Sequence, residues 1–376
     1  MIPRFINIEE FLNPQRVLIV YGPRRSGKTT LLKDYLSKTR LRYKLDSGDN
    51  ISTRNILSSD DFTLIGSYIE GYQLLAIDEA QRIPNIGSGL KILVDNNPDL
   101  KIIVTGSSSF DLSQQIGEPL TGRKTTLTLF PFAQQELLAL YNKHELKEQL
   151  ENFLIFGSYP EVITAKTREA KTEILVELVN SYLLKDIFSF ERLRASNIII
   201  DLLKLIAFQV GNLVSYNELA TQLKTDSKTI LRYLDLLEKS FVLKKVTGFS
   251  RNLRNEISKK NKFYFWDNGI RNAVILQFNS LENRNDIGAL FENFISMERT
   301  KYLSNNRIFT QSYFWRTYQG SEIDLIEESG GKIDAIEFKY SPKTATKKPE
   351  EFLSNYQNSS FKIINNQNYL DFVTKG

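Results

Sequence analysis

The sequence contains no cysteine and only one histidine, His144, among its 376 residues. Disulfide bonds, cysteine-based zinc sites and cysteine nucleophiles are therefore excluded. A Ser/His/Asp triad would have to use His144, which lies in a charged stretch typical of a solvent-exposed helix. Any catalysis must then use carboxylates, lysine, hydroxyl groups and a hard metal ion. The lack of cysteine is compatible with a reducing cytoplasm, which is the location that we expect.

Long apolar runs are missing as well. No stretch approaches the roughly 18 to 20 uncharged apolar residues that a membrane-spanning helix requires, and residues 1–10 do not resemble a secretory signal. We therefore expect no membrane partner. Hydrophobic residues make up 41% of the chain and charged residues 25%, as in soluble globular proteins. At roughly 150 residues per domain, the length predicts two or three domains, or four if some are small.

A phosphate-binding motif occupies residues 22–29 and matches G-x-x-x-x-G-K-[ST] in full. It follows an apolar run typical of a buried strand and precedes an apolar helix, which is the context that a P-loop needs. Lys28 is expected to neutralise the β- and γ-phosphates of ATP, and Thr29 to ligate Mg²⁺. The predicted nucleotide-binding residues are Gly22, Pro23, Arg24, Arg25, Ser26, Gly27, Lys28, Thr29, Thr30 and Asp78.

Two carboxylates end a second apolar run at residues 74–77. Asp78 is placed to hold Mg²⁺ through water or through Thr29, and Glu79 to polarise the attacking water as general base. Acids often end strands, so the pair alone does not indicate a functional site. The P-loop that precedes it in the sequence favours the functional interpretation.

Hydroxyl groups follow a third apolar run, at residues 101–104. Ser107 is the first candidate and Thr105 the second for a hydroxyl beside the γ-phosphate, although a plain strand-to-loop turn explains the same residues. Arg123 is a candidate to stabilise developing charge, either in cis or from a neighbouring subunit of a homo-oligomer; Arg24 and Arg25 are alternatives.

A basic segment follows the first half of the chain. Between Lys224 and Lys262 there are eleven Lys and Arg residues but only four Asp and Glu. Two helical patterns, a tight turn and two strand patterns in this region predict a winged helix-turn-helix. DNA is the expected partner, contacted by Lys228 and Arg232 from the second helix and by Arg251 and Arg254 from the wing. A solvated basic face is the alternative.

These stretches together resemble the AAA-like P-loop ATPases of archaea and bacteria that carry a C-terminal domain of unknown function. The likeness rests on residues 21–29, 105–108, 120–123, 156–162, 262–269 and 288–294 and on the strand that runs to Ala80. It spans almost the whole chain and implies an ATPase core, a helical lid, a winged helix and a nuclease-like fold, in that order. Ser158 departs from the glycine that the resemblance leads us to expect.

The last part of the chain resembles the PD-(D/E)xK nuclease signature. Asp324 lies in one predicted strand, and Glu337 and Lys339 form E-x-K on the next. The resemblance implies that Asp324 and Glu337 share a Mg²⁺, with Lys339 near the attacking water or the scissile phosphate and Glu292 as a fourth member. The alternative is a buried structural ion cluster without metal.

We therefore predict an α/β protein with a parallel P-loop sheet and four segments. These are an ATPase core at 1–130, a helical lid at 131–196, a winged helix at 197–275 and a nuclease-like domain at 286–376. The predicted function is an ATPase, with ATP and Mg²⁺ as its ligands, that couples nucleotide state to DNA binding; metal-dependent DNA cleavage is left open. The alternative is an ATP-switched DNA-binding regulator whose nuclease-like domain is an inactive scaffold.

Overall fold

A computed structural model describes residues 2–106, 119–183, 196–251 and 260–375. The chain forms two compact units. The first comprises Arg4–Pro131 with Lys239–Phe241, and the second comprises Met1–Pro3, Phe132–Glu238 and Val242–Gly376. The finer division into four segments stays a prediction.

The first unit contains a five-stranded parallel sheet. Its strands lie in the order β2-β3-β4-β1-β5, and every neighbouring pair is parallel. They are β1 (Val17–Tyr21), β2 (Tyr43–Ser47), β3 (Leu74–Asp78), β4 (Lys101–Thr105) and β5 (Lys124–Thr128). Since the strands are parallel, the loops after β1, β3 and β4 meet at one edge of the sheet.

Helices cover both faces of this sheet. Alternate residues of β1, β3 and β4 enter two separate cores, so that Val17 and Ile19 pack on one face and Leu18 and Val20 on the other. The covering helices are α1 (Lys28–Lys38), α2 (Ile51–Leu57), α3 (Phe62–Tyr68) and α4 (Ile86–Asn96). A strand buried on both faces must be apolar at every position, which explains the continuous apolar runs.

The predicted α/β class and parallel sheet are confirmed, because β1, β3 and β4 coincide with the three apolar runs. Strands β2 and β5 were not predicted. They lie at the two edges of the sheet and carry Tyr-Lys-Leu-Asp-Ser and Lys-Thr-Thr-Leu-Thr, in which only Leu127 is buried. Edge strands need no continuous apolar run, so their sequences give little signal.

The second unit begins with short helices and continues into longer ones. Leu178–Leu183 forms a π-helix that directly follows the helix Arg168–Glu177. The helices up to residue 274 are α5 (Gln134–Leu137), α6 (Lys143–Glu148), α7 (Leu150–Phe156), α8 (Pro160–Thr164), α9 (Arg168–Glu177), α10 (Ser196–Phe208), α11 (Tyr216–Gln222), α12 (Ser227–Lys239) and α13 (Asn268–Val274). His144 lies on α6 with its side chain 82% exposed, which confirms the expected surface position.

A three-stranded antiparallel sheet accompanies α11 and α12. Its order is β6-β8-β7, with β6 (Leu213–Val214), β7 (Leu243–Thr247) and β8 (Asn261–Phe265). The Ser215 hydroxyl caps α11 by accepting a bond from the backbone N–H of Glu218. Tyr233, which follows Arg232 on α12, is only 2% exposed and packs in the core.

A four-stranded sheet follows the long helix α14 (Ile287–Asn305). Its order is β12-β11-β10-β9, antiparallel except for the parallel pair β11 and β12. The strands are β9 (Gln311–Arg316), β10 (Glu322–Ser329), β11 (Lys332–Phe338) and β12 (Ser359–Ile364), and the last helices are α15 (Glu350–Asn355) and α16 (Tyr369–Thr374).

Four distant segments of the second unit meet in a polar junction formed by Gln134, Ser158, Asp267, Glu298 and Lys301. The buried Asp267 carboxylate accepts a bond of 2.7 Å from the backbone N–H of Ser158. The Lys301 ammonium lies 2.7 Å from Glu298 and 3.1 Å from the Ser158 hydroxyl, and Glu298 also accepts from the backbone N–H of Gln134. Burial raises the pKa of both Asp267 and Glu298.

Within the described residues, no helix is both long and apolar enough to cross a membrane.

Candidate functional site

The loop between β1 and α1 requires glycine at position 22. Gly22 has a φ of 149°, and a Cβ there would lie 2.1 Å from the Leu129 carbonyl oxygen. Any side chain would therefore collide with backbone and push the loop away from the sheet. Gly27 caps α1, so the loop delivers its backbone N–H groups to the start of a helix, where anions bind.

The Lys28 ammonium lies inside this loop. It donates to the carbonyl oxygens of Gly22 at 2.9 Å and Pro23 at 2.8 Å, and the residue is only 6% exposed. A buried cation among backbone N–H groups gives the loop a concentrated positive potential. The loop is thus suited to a polyanion such as the phosphates of ATP.

The Asp78 carboxylate is held by two hydroxyl groups. Thr29 donates to one oxygen at 2.8 Å, and the buried Thr105 donates to the other. The Asp78 side chain is thereby fixed beside the P-loop threonine, as the sequence predicted. Thr105 was predicted as a second choice for contact with the γ-phosphate, and that contact stays a prediction; in the structure its hydroxyl donates to Asp78.

Glu79 follows Asp78 in a conformation that is uncommon for residues other than glycine. Its φ is 52° and its ψ is 39°, in the left-handed region. Such a conformation costs on the order of 1 kcal/mol or more and often occurs at functional sites. The Gln81 side chain donates to Glu79 Oε2 at 2.6 Å and fixes the carboxylate. The sequence alone did not predict this contact of Gln81.

The remaining predicted nucleotide-binding residues lie in or next to the same loop. Arg24 is partly buried, Arg25 and Thr30 are exposed, and Pro23 is buried. Ser107 lies outside the described residues.

Arg123 does not reach this site within its own chain. It directly precedes β5, and its carbonyl accepts from the N–H of Val17 at the first residue of β1. The P-loop follows the opposite end of β1, about 17 Å away for five residues at roughly 3.3 Å each. The Arg123 guanidinium instead pairs with Asp95 at 2.6 Å. The predicted role in cis is therefore wrong, because parallel strands separate their two ends.

The residues of the loop fit a nucleotide with Mg²⁺. The Ser26 hydroxyl is completely buried and has no hydrogen-bond partner within the described ranges, although it lies between Gly22 and Lys28. A buried hydroxyl without a partner is costly unless a ligand satisfies it. Thr29 and Asp78 supply the hydroxyl and carboxylate oxygens that Mg²⁺ prefers. The metal would reduce the repulsion between the phosphates and the Asp78 carboxylate.

The predicted DNA-binding residues are only partly brought together. Lys228 and Arg232 both lie exposed on α12, one turn apart. Arg251 is exposed but forms an ion pair with Glu328 on β10. Arg254 lies outside the described part of the chain.

Carboxylates from α14, β10 and β11 form a carboxylate cluster, which comprises Glu292, Glu322, Asp324 and Glu337. Asp324 Oδ2 accepts from the Phe338 N–H at 2.7 Å, and Lys339 pairs with Glu337 at 2.7 Å. Strands β10 and β11 pair at Leu325 and Ile336, one residue from Asp324 and Glu337. The sequence predicted three of these acids and Lys339 but did not single out Glu322.

Burial and mutual repulsion perturb this cluster. Burial, followed by the charges of Glu292 and Glu337, raises the pKa of Asp324 well above its ordinary value. The pKa of Glu337 is also raised, by burial and by nearby carboxylates, although Lys339 opposes that shift. Among the described residues, no group of three or more His, Cys, Asp and Glu side chains has a geometry that could hold a metal ion.

A cation that was not assigned to this site enters it from another sheet. The Lys262 ammonium, on β8, lies 2.7 Å from Glu322 and 3.1 Å from Glu292, and its side chain is 1% exposed. The Tyr264 hydroxyl, on the same strand, donates to Glu292 at 2.7 Å. In the sequence Lys262 was counted with the basic segment, since its partners lie at least 30 residues away.

Three family models match successive parts of the chain. Residues 14–138 match an AAA domain, residues 147–282 match the Domain of unknown function (DUF8612), and residues 287–372 match the Domain of unknown function (DUF4143). The first match covers the five-stranded sheet and its P-loop, so the first unit contains an AAA-like P-loop domain.

Similar proteins occur in bacteria and archaea. An uncharacterized protein of Mycobacterium tuberculosis is 27% identical over 326 residues, which are 86% of this chain and 70% of that protein. An uncharacterized protein of Methanocaldococcus jannaschii is 25% identical over 327 residues, 81% of this chain and 71% of that protein.

Among solved structures, the Walker-type ATPase of Pyrococcus abyssi is similar with a TM-score of 0.47 and 16% identity, covering 70% of this chain and 91% of that chain. A signal transduction ATPase with a tetratricopeptide repeat sensor from Pyrococcus horikoshii has a TM-score of 0.30 and 12% identity, covering 81% of this chain and 47% of that chain.

Proposed function

We propose that the chain binds ATP with Mg²⁺ at the loop after β1 and hydrolyses it. The observation that carries this proposal is the convergence of Lys28, Thr29, Asp78 and Glu79 at one edge of the parallel sheet. Backbone N–H groups and Lys28 would hold the phosphates. Thr29 and Asp78 would hold Mg²⁺ or its water ligands, and Glu79 would accept the proton of the attacking water.

Release of inorganic phosphate from ATP, measured with purified protein at saturating Mg²⁺, tests this proposal directly. We expect a slow turnover that stops when EDTA removes the metal. Nucleotide binding without phosphate release, in the presence of Mg²⁺, would contradict hydrolysis and leave a nucleotide-binding switch.

Thr105 is expected to act as a positioning residue for Asp78. Thr105→Val keeps the shape of the side chain but removes the hydroxyl that donates to Asp78. Loss of an outer contact to a metal-binding group typically costs about 10- to 100-fold in activity or metal affinity. We therefore expect a higher Mg²⁺ concentration for half-maximal ATPase activity in Thr105→Val.

Thr105→Ser, which retains the hydroxyl, is the matched control and should resemble the wild type. If Val and Ser variants show the same Mg²⁺ dependence, the contact to Asp78 does not matter for metal binding.

A second proposed function is DNA binding by the outer face of α12. The arrangement of α11, α12 and the antiparallel pair of β7 and β8 supports a winged helix, in which α12 takes the place of the recognition helix. Lys228 and Arg232 are both exposed on that helix, one turn apart, and are therefore the candidates for phosphate contacts.

Replacing Lys228 and Arg232 together by Ala should weaken DNA binding and make it less sensitive to salt. Each lost phosphate contact on duplex DNA lowers the slope of log K against log salt by about 0.9. Fluorescence anisotropy with a labelled duplex over a salt series measures this slope. Lys147→Ala removes an exposed cation from α6 and serves as the control. Equal slopes for the double variant and the control would show that α12 makes no phosphate contacts.

Regulatory use of ATP fits these observations better than DNA cleavage does. The carboxylate cluster contains a lysine, and the described residues offer no group with metal-binding geometry. We therefore favour an ATP-dependent DNA-binding protein whose C-terminal sheet acts as a scaffold. Nicking of supercoiled plasmid in Mg²⁺ or Mn²⁺ is the measurement that would reverse this preference.

A further inference from the structure

The carboxylate cluster holds the side chain of Lys262 at a depth that solvent does not reach. Its ammonium is within 2.7 Å of a Glu322 oxygen and 3.1 Å of a Glu292 oxygen. The ammonium nitrogen also lies over the Phe314 ring, 5.6 Å from the ring centroid. A buried ammonium needs such partners, because an unpaired charge in the interior is strongly unfavourable.

The backbone fixes the position of this lysine. Lys262 belongs to the central strand of its sheet and pairs with Leu213 of β6 on one side and Val246 of β7 on the other. These strand partners on both sides hold the Cα of Lys262 in place. The position of the ammonium in the cluster therefore follows from the strand pairing.

Side-chain cations offset most of the negative charge of the cluster without a divalent ion. Among the described residues, the four carboxylates face three cations: Lys262, Lys339 on Glu337, and Arg316, which lies 3.0 Å from Glu322. A divalent ion among the same oxygens would meet the Lys262 ammonium at close range and be repelled by it. Repulsion between the acids, which a metal relieves in a working nuclease, is relieved here by side chains of the same chain.

We propose that Lys262 is the resident cation of the carboxylate cluster and takes the place of a divalent metal. The cluster then joins β8 to α14 and β10 as a permanent ionic link, and the C-terminal sheet needs no metal. This proposal does not depend on ATP hydrolysis or on DNA binding.

The test compares Lys262→Met with Lys260→Met in the nucleotide-free, full-length protein. Lys260 precedes the same strand but is exposed, so its replacement controls for the loss of one positive charge. Removal of one partner from a buried ion pair is strongly destabilising, and we expect the melting temperature of Lys262→Met to fall by about 6 to 15 °C. Lys260→Met should melt like the wild type.

Addition of Mn²⁺ gives the decisive readout. At millimolar Mn²⁺ we expect no change in the melting temperature of the wild type and a rise of several degrees for Lys262→Met, because the metal can then occupy the cluster. Glu292→Gln introduced into Lys262→Met should abolish that rise, which locates the metal among these acids and away from the P-loop.

Two results would overturn the proposal. One is Mn²⁺ stabilisation of the wild type that disappears in Glu292→Gln, since the metal would then coexist with Lys262. The other is a Lys262→Met protein as stable as Lys260→Met. Should Lys262→Met fail to fold, Lys262→Met with Glu292→Gln decides the matter. This double variant should recover folded protein, because it removes a carboxylate that pairs with Lys262 in the wild type, and a double variant that folds no better overturns the proposal.

Discussion

Glu79→Gln should bind ATP with Mg²⁺ as the wild type does but lose turnover by about 10²- to 10⁴-fold, the contribution typical of general base catalysis. The amide has the shape of the carboxylate but cannot accept the proton of the attacking water. Binding is measured with a fluorescent ATP analogue, and turnover by phosphate release. Both measurements are needed, because loss of turnover alone would also follow from loss of binding.

The local structure makes Glu79→Gln a clean substitution. The left-handed backbone at residue 79 is retained by an isosteric side chain, and Gln81 can still donate to the remaining carbonyl oxygen. Glu70→Gln changes an exposed residue of the same unit and is the matched control. It should bind and hydrolyse ATP as the wild type does. Equal ATPase rates in wild type and Glu79→Gln would remove Glu79 from the mechanism.

Lys28→Ala should lose detectable nucleotide binding. Removal of one buried partner from a charged contact typically costs about 2–5 kcal/mol, which corresponds to a loss of affinity between about 30-fold and 5,000-fold. The carbonyl oxygens of Gly22 and Pro23 would also lose their donor, so the resting loop changes as well. Isothermal titration calorimetry with Mg-ATP measures the affinity.

Lys33→Ala is the control for the loss of one positive charge in Lys28→Ala. Lys33 is an exposed cation on the same helix, so its loss alters the net charge of α1 but leaves the loop intact. Circular dichroism of Lys28→Ala should show a native spectrum. Unchanged ATP affinity in Lys28→Ala, with a folded protein, would exclude the loop after β1 as the nucleotide site.

The sequence was sufficient for the features that depend on local pattern. Strands β1, β3 and β4 are buried on both faces and are therefore apolar throughout, and the P-loop glycines are required at their own positions by the backbone. The contact between Thr29 and Asp78 followed from the parallel order of β1 and β3, even though 49 residues separate the two side chains.

Features that depend on distant partners were not predictable in the same way. Arg123 lies at the start of β5, at the end of the sheet away from the P-loop. The sequence did not show this, because β5 is an edge strand too polar to be recognised. The role of Lys262 depends on acids 30 or more residues away, and a lysine within a basic segment gives no sign that it is buried. Tyr233 likewise has the spacing of the buried apolar residues of α12. Its side chain is therefore buried, although it is next to Arg232 in the sequence.

The polar junction in the second unit has a consequence for the synthesis of the protein. Glu298 accepts from the backbone of Gln134, 164 residues earlier, and Lys301 donates to Ser158 across 143 residues. At about 5–20 residues per second, a ribosome needs on the order of 10 to 30 seconds to translate that interval.

During this time the helices from α5 onward have left the ribosome without the acid and lysine that complete their core. Their apolar faces stay open to chaperones and to aggregation until residue 301 emerges. A stop codon before α14 should therefore yield an insoluble product, whereas the same chain carried through residue 376 closes the junction and folds.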